Sequence, residues 1–190
     1  MSQWDSSQKP GNYLWVDTLR CIGCFSCETA CKMEHELPAG PRPIRVIQVG
    51  PLEHGKALIM TYQPAVCLHC TAPACAQACP TGAMQKRSDG LVFSDPEICI
   101  GCQCCAIVCP FGIPQLNPGT GKIAKCDGCM DRVDQGLSPA CVLACPTEAL
   151  SFQTPTMKAQ RARERFAREM RQSGEIRKDK GYAKTHRRSG

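Results

Sequence analysis

The chain has 190 residues, a formal net charge of +6 and 17 cysteines, while aromatic residues make up only 5%. One domain or two small ones is expected at this length, and so few large apolar side chains leave a conventional core short of material, so disulfides or bound metal must cross-link the interior. No run of 18 apolar residues is present to span a bilayer, and Met1 to Arg20 carry Asp5, Lys9 and Asp17 without a continuous apolar stretch or paired arginines; the expected compartment is the reducing cytoplasm, where disulfides are disfavoured.

In chain order, Tyr13 to Asp17 reads as a short strand. The first cysteine group, Cys21, Cys24, Cys27 and Cys31, follows with the spacing C-x2-C-x2-C-x3-C, and a helix is predicted over Glu28 to Glu34. Ile44 to Val49 and Ala57 to Tyr62 read as a hairpin insertion, split by Gly50-Pro51-Leu52-Glu53-His54-Gly55. The second group, Cys67, Cys70, Cys75 and Cys79, is C-x2-C-x4-C-x3-C, and after it Met84 to Lys86 pairs with Leu91 to Phe93 through Ser88-Asp89-Gly90. The third group, Cys99, Cys102, Cys105 and Cys109, repeats the spacing of the first, and a further hairpin runs from Gln115 to Lys125 around Asn117-Pro118-Gly119. The fourth, Cys126, Cys129, Cys141 and Cys145, is C-x2-C-x11-C-x3-C, with a helix over Ala140 to Ala144 and a closing strand over Ala149 to Gln153. Groups two to four each end in Cys-Pro, at Pro80, Pro110 and Pro146.

The tail from Pro155 to Gly190 differs in kind. It holds 12 Lys plus Arg against 4 Asp plus Glu, a balance of +8, which leaves 11 minus 13, or −2, for residues 1–154. Thr156 is expected to cap a helix reaching Gln172, with Met157, Phe166 and Met170 on one partly apolar face, and an extended chain is expected beyond Ser173. A docking arm for a partner or another copy is the favoured reading over a merely solvated tail. Charge alone does not establish nucleic-acid readout, so no nucleic acid is expected.

Four groups of four cysteines carry the chemistry. In the bacterial ferredoxin pattern, closely spaced thiolates wrap one face of a [4Fe-4S] cube while the last cysteine of the run ligates a different cluster, and the following proline stops the chain from continuing as helix. Zinc is the competing occupant, but its structural sites draw four ligands from two C-x2-C knuckles, and three cysteines within seven residues crowd a single ion. Cys104 is the seventeenth cysteine. Choosing it as ligand breaks the regular spacing, so Cys105 is taken as the ligand and Cys104 as a packed thiol. His69, inside the second group, is read as hydrogen-bonding beside the cluster rather than ligating it; His35, His54 and His186 have no partner pattern and read as surface residues. Trp4 and Trp15 read as packing or docking residues, and Lys125 as either a donor toward cluster sulfur or a solvated side chain.

The order and flanks of these groups, in Cys21-Ile-Gly-Cys-Phe-Ser-Cys-Glu-Thr-Ala-Cys-Lys32, Cys67-Leu-His-Cys-Thr-Ala-Pro-Ala-Cys-Ala-Gln-Ala-Cys-Pro80, Cys99-Ile-Gly-Cys-Gln-Cys-Cys-Ala-Ile-Val-Cys-Pro-Phe-Gly112 and Lys125-Cys-Asp-Gly-Cys129, resemble the four-cluster iron–sulfur subunits of molybdenum and tungsten oxidoreductases, related to the small subunit of dimethyl sulfoxide reductase. The match runs from Asn12 to Gln153, and cysteine at 104 departs from it. The resemblance implies a pairing. Cys21, Cys24 and Cys27 join Cys145, and Cys126, Cys129 and Cys141 join Cys31, in an outer ferredoxin-like unit (residues 12–66 and 111–154). Cys67, Cys70 and Cys75 join Cys109, and Cys99, Cys102 and Cys105 join Cys79, in an inner unit (residues 67–110). The expected fold class is α+β, two nested bacterial-ferredoxin-like units with a hairpin insertion and a basic helical arm over 155–190.

Sixteen thiolates saturate four [4Fe-4S] clusters and leave no iron open to substrate, so an electron relay rather than an enzyme is expected; the C-x3-C-x2-C triplet of radical-SAM enzymes is absent. Each oxidised cubane with its thiolates carries a formal charge of about −2, which brings residues 1–154 to about −10. The implied partners are a large molybdenum- or tungsten-cofactor catalytic subunit, with formate or aldehyde oxidation favoured, and a second redox partner that is a flavoprotein, a ferredoxin or a quinone-linked subunit. A hydrogenase, a sulfur- or N-oxide reductase, or a self-assembling conducting protein is the alternative.

Overall fold

The computed structural model describes residues 11, 13–55 and 57–173. In order, the elements are β1 (Tyr13–Val16), α1 (Ser26–Glu34), β2 (Ile44–His54), β3 (Ala57–Val66), α2 (Ala74–Gln77), β4 (Met84–Lys86), β5 (Val92–Ser94), α3 (Cys104–Val108), β6 (Gln115–Asn117), β7 (Lys122–Ala124), α4 (Met130–Asp134), α5 (Ala140–Leu143), β8 (Leu150–Gln153) and α6 (Pro155–Ser173). The chain divides into two compact units, one ending at Gln153 and the other beginning at Thr154. Among the described residues no helix is long and apolar enough to cross a membrane.

All strands of the first unit lie in two-stranded antiparallel ribbons, β1 with β8, β2 with β3, β4 with β5 and β6 with β7. The first ribbon joins the two ends of the unit, from Tyr13 opposite Gln153 to Val16 opposite Leu150, and the Trp15 indole donates to the Gln153 carbonyl at 3.0 Å. Isolated ribbons of this size are marginal in water. Two buried groups hold them: Cys27, Cys31, Ile44, Val46, Val66, Cys141 and Leu150 in one, and Ala83, Met84, Val92, Cys99, Cys105 and Ile123 in the other. Thiols occupy places that aliphatic side chains fill in a conventional core, which answers the shortage of aromatic residues.

One buried carboxylate ties α1 to the long ribbon. Glu28 accepts the Val46 N–H at 2.6 Å through one oxygen and the Arg42 guanidinium at 3.3 Å through the other. A charge-assisted bond of this kind contributes about 1.5–3 kcal/mol, enough to fix the helix on the strand that covers its cysteines.

The predicted elements appear with shifted edges. Gly50 and Pro51, expected in a loop, lie within β2, where the register shifts between Val49 and Leu52 and the pairing resumes to His54 opposite Ala57. Gly50 has φ of 125°, and a bulge absorbs the irregular pair without ending the strand. The strand expected over Leu91 to Phe93 covers Val92–Ser94 instead, because the Leu91 carbonyl accepts the Arg87 N–H and closes the turn. The last helix begins at Pro155; its cap is Thr154, whose hydroxyl accepts the Met157 N–H at 3.2 Å, rather than Thr156. The chain beyond Ser173, together with Trp4, His186 and the side chain of His54, lies outside the described residues.

Candidate metal centres

Each C-x2-C loop turns at its third residue, which has positive φ: Gly23 at 68°, His69 at 45°, Gly101 at 68° and Gly128 at 77°. Left-handed backbone there points successive N–H groups to one side and makes a concavity suited to an anion. The first and third loops repeat the turn two residues later, at Phe25 and Gln103, and α1 and α3 start from those residues. The second and fourth groups share a different pattern. In both, Pro-Ala-Cys opens a four-residue helix, Pro73 before α2 and Pro139 before α5, and Cys-Pro ends the turn after it.

These loops surround three cavities of similar size, and four cysteines line each. Cys21, Cys24, Cys27 and Cys145 line one of about 300 Å³; Cys31, Cys126, Cys129 and Cys141 line one of about 330 Å³; Cys67, Cys70, Cys75 and Cys109 line one of about 320 Å³. Of the remaining four candidates, Cys99 and Cys105 are buried in the second core group with Cys79 packed against them, and Cys102 lies beside Cys104. Helical spacing explains how one element serves two cavities. Cys27 and Cys31 on α1 line different cavities, and Cys141 and Cys145 of the α5 turn line the same two.

The separation of the sulfurs decides between metals. Tetrahedral zinc with Zn–S bonds of about 2.3 Å requires sulfurs about 3.8 Å apart. Among the described residues, no three cysteine sulfurs lie within 4.8 Å of one another. Four thiols spread around a cavity rather than gathered at one point suit an iron–sulfur cube, which needs one thiolate per iron, and not a single ion.

Burial raises the pKa of several of these thiols. It pushes Cys27 and Cys105 up to about 11 and Cys31 up to about 12, and drives Cys126 and Cys141 in the same direction. Metal insertion at such thiols releases protons. Cys79 and Cys145 go the other way. Burial raises them, but backbone N–H groups of Thr81, Ala83 and Met84 in one case and Thr147, Ala149 and Leu150 in the other outweigh it, aided by the Thr81 and Thr147 hydroxyls at 3.7 Å.

Polar side chains stand between the cavities. His69 is buried; its Nδ1 accepts the Val92 N–H at 2.9 Å, and its Nε2 lies 3.8 Å from Cys126 Sγ. Burial and the neighbouring Lys125 ammonium push its pKa down to about 3, so the ring is neutral at ordinary pH. Lys125 is itself buried, lines the cavity of Cys67, Cys70, Cys75 and Cys109, and donates to the carbonyls of Val92 and Cys126. His35, read as a surface residue, lines the cavity of Cys31, Cys126, Cys129 and Cys141, with Nε2 3.6 Å from Cys129 Sγ and 3.5 Å from Asp127 Oδ1. Its partners lie more than 90 positions away in the chain, beyond the reach of any local pattern.

Residues 58–155 match the 4Fe-4S dicluster domain, and residues 20–83 match a second family of the same description. The chain is similar to the B subunit of the anaerobic dimethyl sulfoxide reductase of Escherichia coli (strain K12), 41% identical over 145 residues that cover 73% of this chain and 71% of that protein. It is 42% identical over 138 residues to the thiosulfate reductase electron transfer subunit of Salmonella typhi, covering 72% of each. It is 34% identical over 168 residues to the formate dehydrogenase-O iron-sulfur subunit of Escherichia coli (strain K12), covering 80% of this chain and 56% of that one.

Proposed function

Because the chain belongs to the 4Fe-4S dicluster family of electron-transfer subunits of molybdenum oxidoreductases, we propose that it relays single electrons between a catalytic subunit that reduces a sulfur oxide, sulfur oxyanion or N-oxide and a second redox partner. Four [4Fe-4S] clusters are its cofactors, and when bound they supply reversible one-electron storage. The protein supplies the rest: thiolates that hold each cluster and the left-handed loops that carry them.

In this reading Cys21, Cys24, Cys27 and Cys145 hold one cluster, Cys31, Cys126, Cys129 and Cys141 the next, Cys67, Cys70, Cys75 and Cys109 the third, and Cys79, Cys99, Cys102 and Cys105 the last. The observation that carries it is the convergence of four cysteines from two distant segments on each of three cavities. Shared elements then set an order. The turns of α1 and α5 join the first two sites, His69 and Lys125 stand between the second and third, and Cys75 with Cys79 on the turn of α2 joins the third and fourth. Sites one and two form the outer ferredoxin-like unit (residues 12–66 and 111–154) and sites three and four the inner one (residues 67–110).

The choice of catalytic partner moves from formate or aldehyde oxidation toward the alternative. Relatives named for dimethyl sulfoxide and thiosulfate reductases are 41–42% identical, against 34% for the formate dehydrogenase subunit. Cytoplasmic residence belongs to the same proposal, supported by 17 cysteines that suit a reducing compartment. The test is to purify the native complex anaerobically and assay it with a viologen dye. Oxidation of reduced viologen by dimethyl sulfoxide, an N-oxide or thiosulfate is expected, in a complex that contains molybdenum. Formate-dependent dye reduction with no turnover of those oxidants would contradict the choice of partner.

A further inference from the structure

Three of the four C-x2-C loops place glycine at the left-handed third position, and the second places His69 there at φ of 45°. His69 carries, in a backbone that glycine adopts more readily, a ring that the other three loops lack at this position. Its ring is fixed from both sides. The Val92 N–H donates to Nδ1, which therefore carries no proton, so the ring's N–H is Nε2–H, and Nε2 faces Cys126 Sγ at 3.8 Å. Cys126 lines the neighbouring cavity, not the one that the His69 loop itself wraps. A second imidazole reaches the same cavity: His35 Nε2 faces Cys129 Sγ at 3.6 Å and Asp127 Oδ1 at 3.5 Å, and since a thiolate and a carboxylate are both acceptors, that nitrogen carries the proton. Among the described residues, no histidine lines the cavity of Cys21, Cys24, Cys27 and Cys145 or that of Cys67, Cys70, Cys75 and Cys109.

Hydrogen bonds to cluster sulfur are one of the terms that set a cluster's potential. An N–H aimed at a thiolate draws charge from it and favours the added electron. Asp127, a partly exposed carboxylate bonded to His35 and to the Cys129 N–H, opposes this; the buried Lys125 ammonium, bonded to the Cys126 carbonyl, offsets it from the other side. Resting on the four-cluster reading above, we infer that His69 and His35 are positioning residues that raise the reduction potential of the centre held by Cys31, Cys126, Cys129 and Cys141 above the value it would have without them.

The test is redox potentiometry of the full chain, followed by electron paramagnetic resonance, after iron and sulfide content has shown whether four clusters are loaded. His69→Gly suits the backbone, since glycine occupies the other three loops. At a fixed poise it is expected to lower the reduced-to-oxidised ratio of one centre about tenfold, equivalent to about 59 mV for a one-electron couple. His35→Leu lowers the same centre, and His69→Gln, which restores an N–H donor, returns it toward the unsubstituted value. Four loaded clusters with unmoved potentials, or shifts on two different centres, would overturn the inference and leave the relay reading intact; fewer than four clusters in the unsubstituted chain would overturn the relay reading first. If His69→Gly does not load, electron spin-echo spectra of the unsubstituted chain grown with 15N-histidine decide: coupling from histidine nitrogen at one reduced centre supports the inference, and its absence overturns it.

Discussion

At the residue scale, three of the four C-x2-C loops require glycine at their third position, and Gly101 is the tightest of these. A β-carbon built on Gly101 meets the Gly121 carbonyl oxygen at 2.1 Å, in a backbone with φ of 68°. Neither the carbonyl nor the loop has a flexible end that can give way. Gly101→Ala is therefore expected to displace the segment carrying Cys99, Cys102 and Cys105 and cost one cluster, reducing iron from about sixteen to about twelve per chain. Gly136→Ala is the control. It has a similar φ of 76° and nothing within 4 Å, so it meets only the left-handed penalty of about 1 kcal/mol and keeps all the iron. Retention of full iron by Gly101→Ala would contradict the argument. The cysteines and loop glycines are legible in the sequence because their spacing is local. His35 is not, because Asp127 and Cys129 come to it only through the folding of α1 against the start of α4.

At the element scale, the cysteine loops rather than periodicity decide where helices begin. Helices α2, α3 and α4 have four or five residues, too few to show an apolar stripe, and none was foreseen in the sequence. α3 and α4 each follow a left-handed residue, Gln103 or Cys129, that ends the metal-binding loop. The β2–β3 ribbon was legible through its β-branched and apolar residues, but its length was not, because Gly50-Pro51 signals a break and a bulge accommodates it. α6 stands apart in composition. It is 19 residues long, with Met157 and Phe166 exposed among arginines, and it belongs to the segment that carries a charge of +8. We expect this arm to dock on an acidic partner or on another copy. Deleting residues 155–190 should reduce the mass of the purified assembly in light scattering while leaving the iron content per chain unchanged, and an unchanged mass would remove the docking role.

At the scale of the whole molecule, metal and fold are one problem. Five of the thirteen residues in the two buried groups are cysteines, and burial holds Cys27, Cys31, Cys105 and Cys141 protonated until metal displaces the protons. The ends of the first unit meet in the β1–β8 ribbon, and the cavities lie within that closure, joined by helical turns that each contribute a cysteine to two of them. In the proposed ligand assignment, such an arrangement conducts electrons without offering an open iron to a substrate. Iron, acid-labile sulfide and zinc analysis of the anaerobically isolated chain tests this most directly. About sixteen iron and sixteen sulfide per chain are predicted; about four zinc with no sulfide would contradict the account.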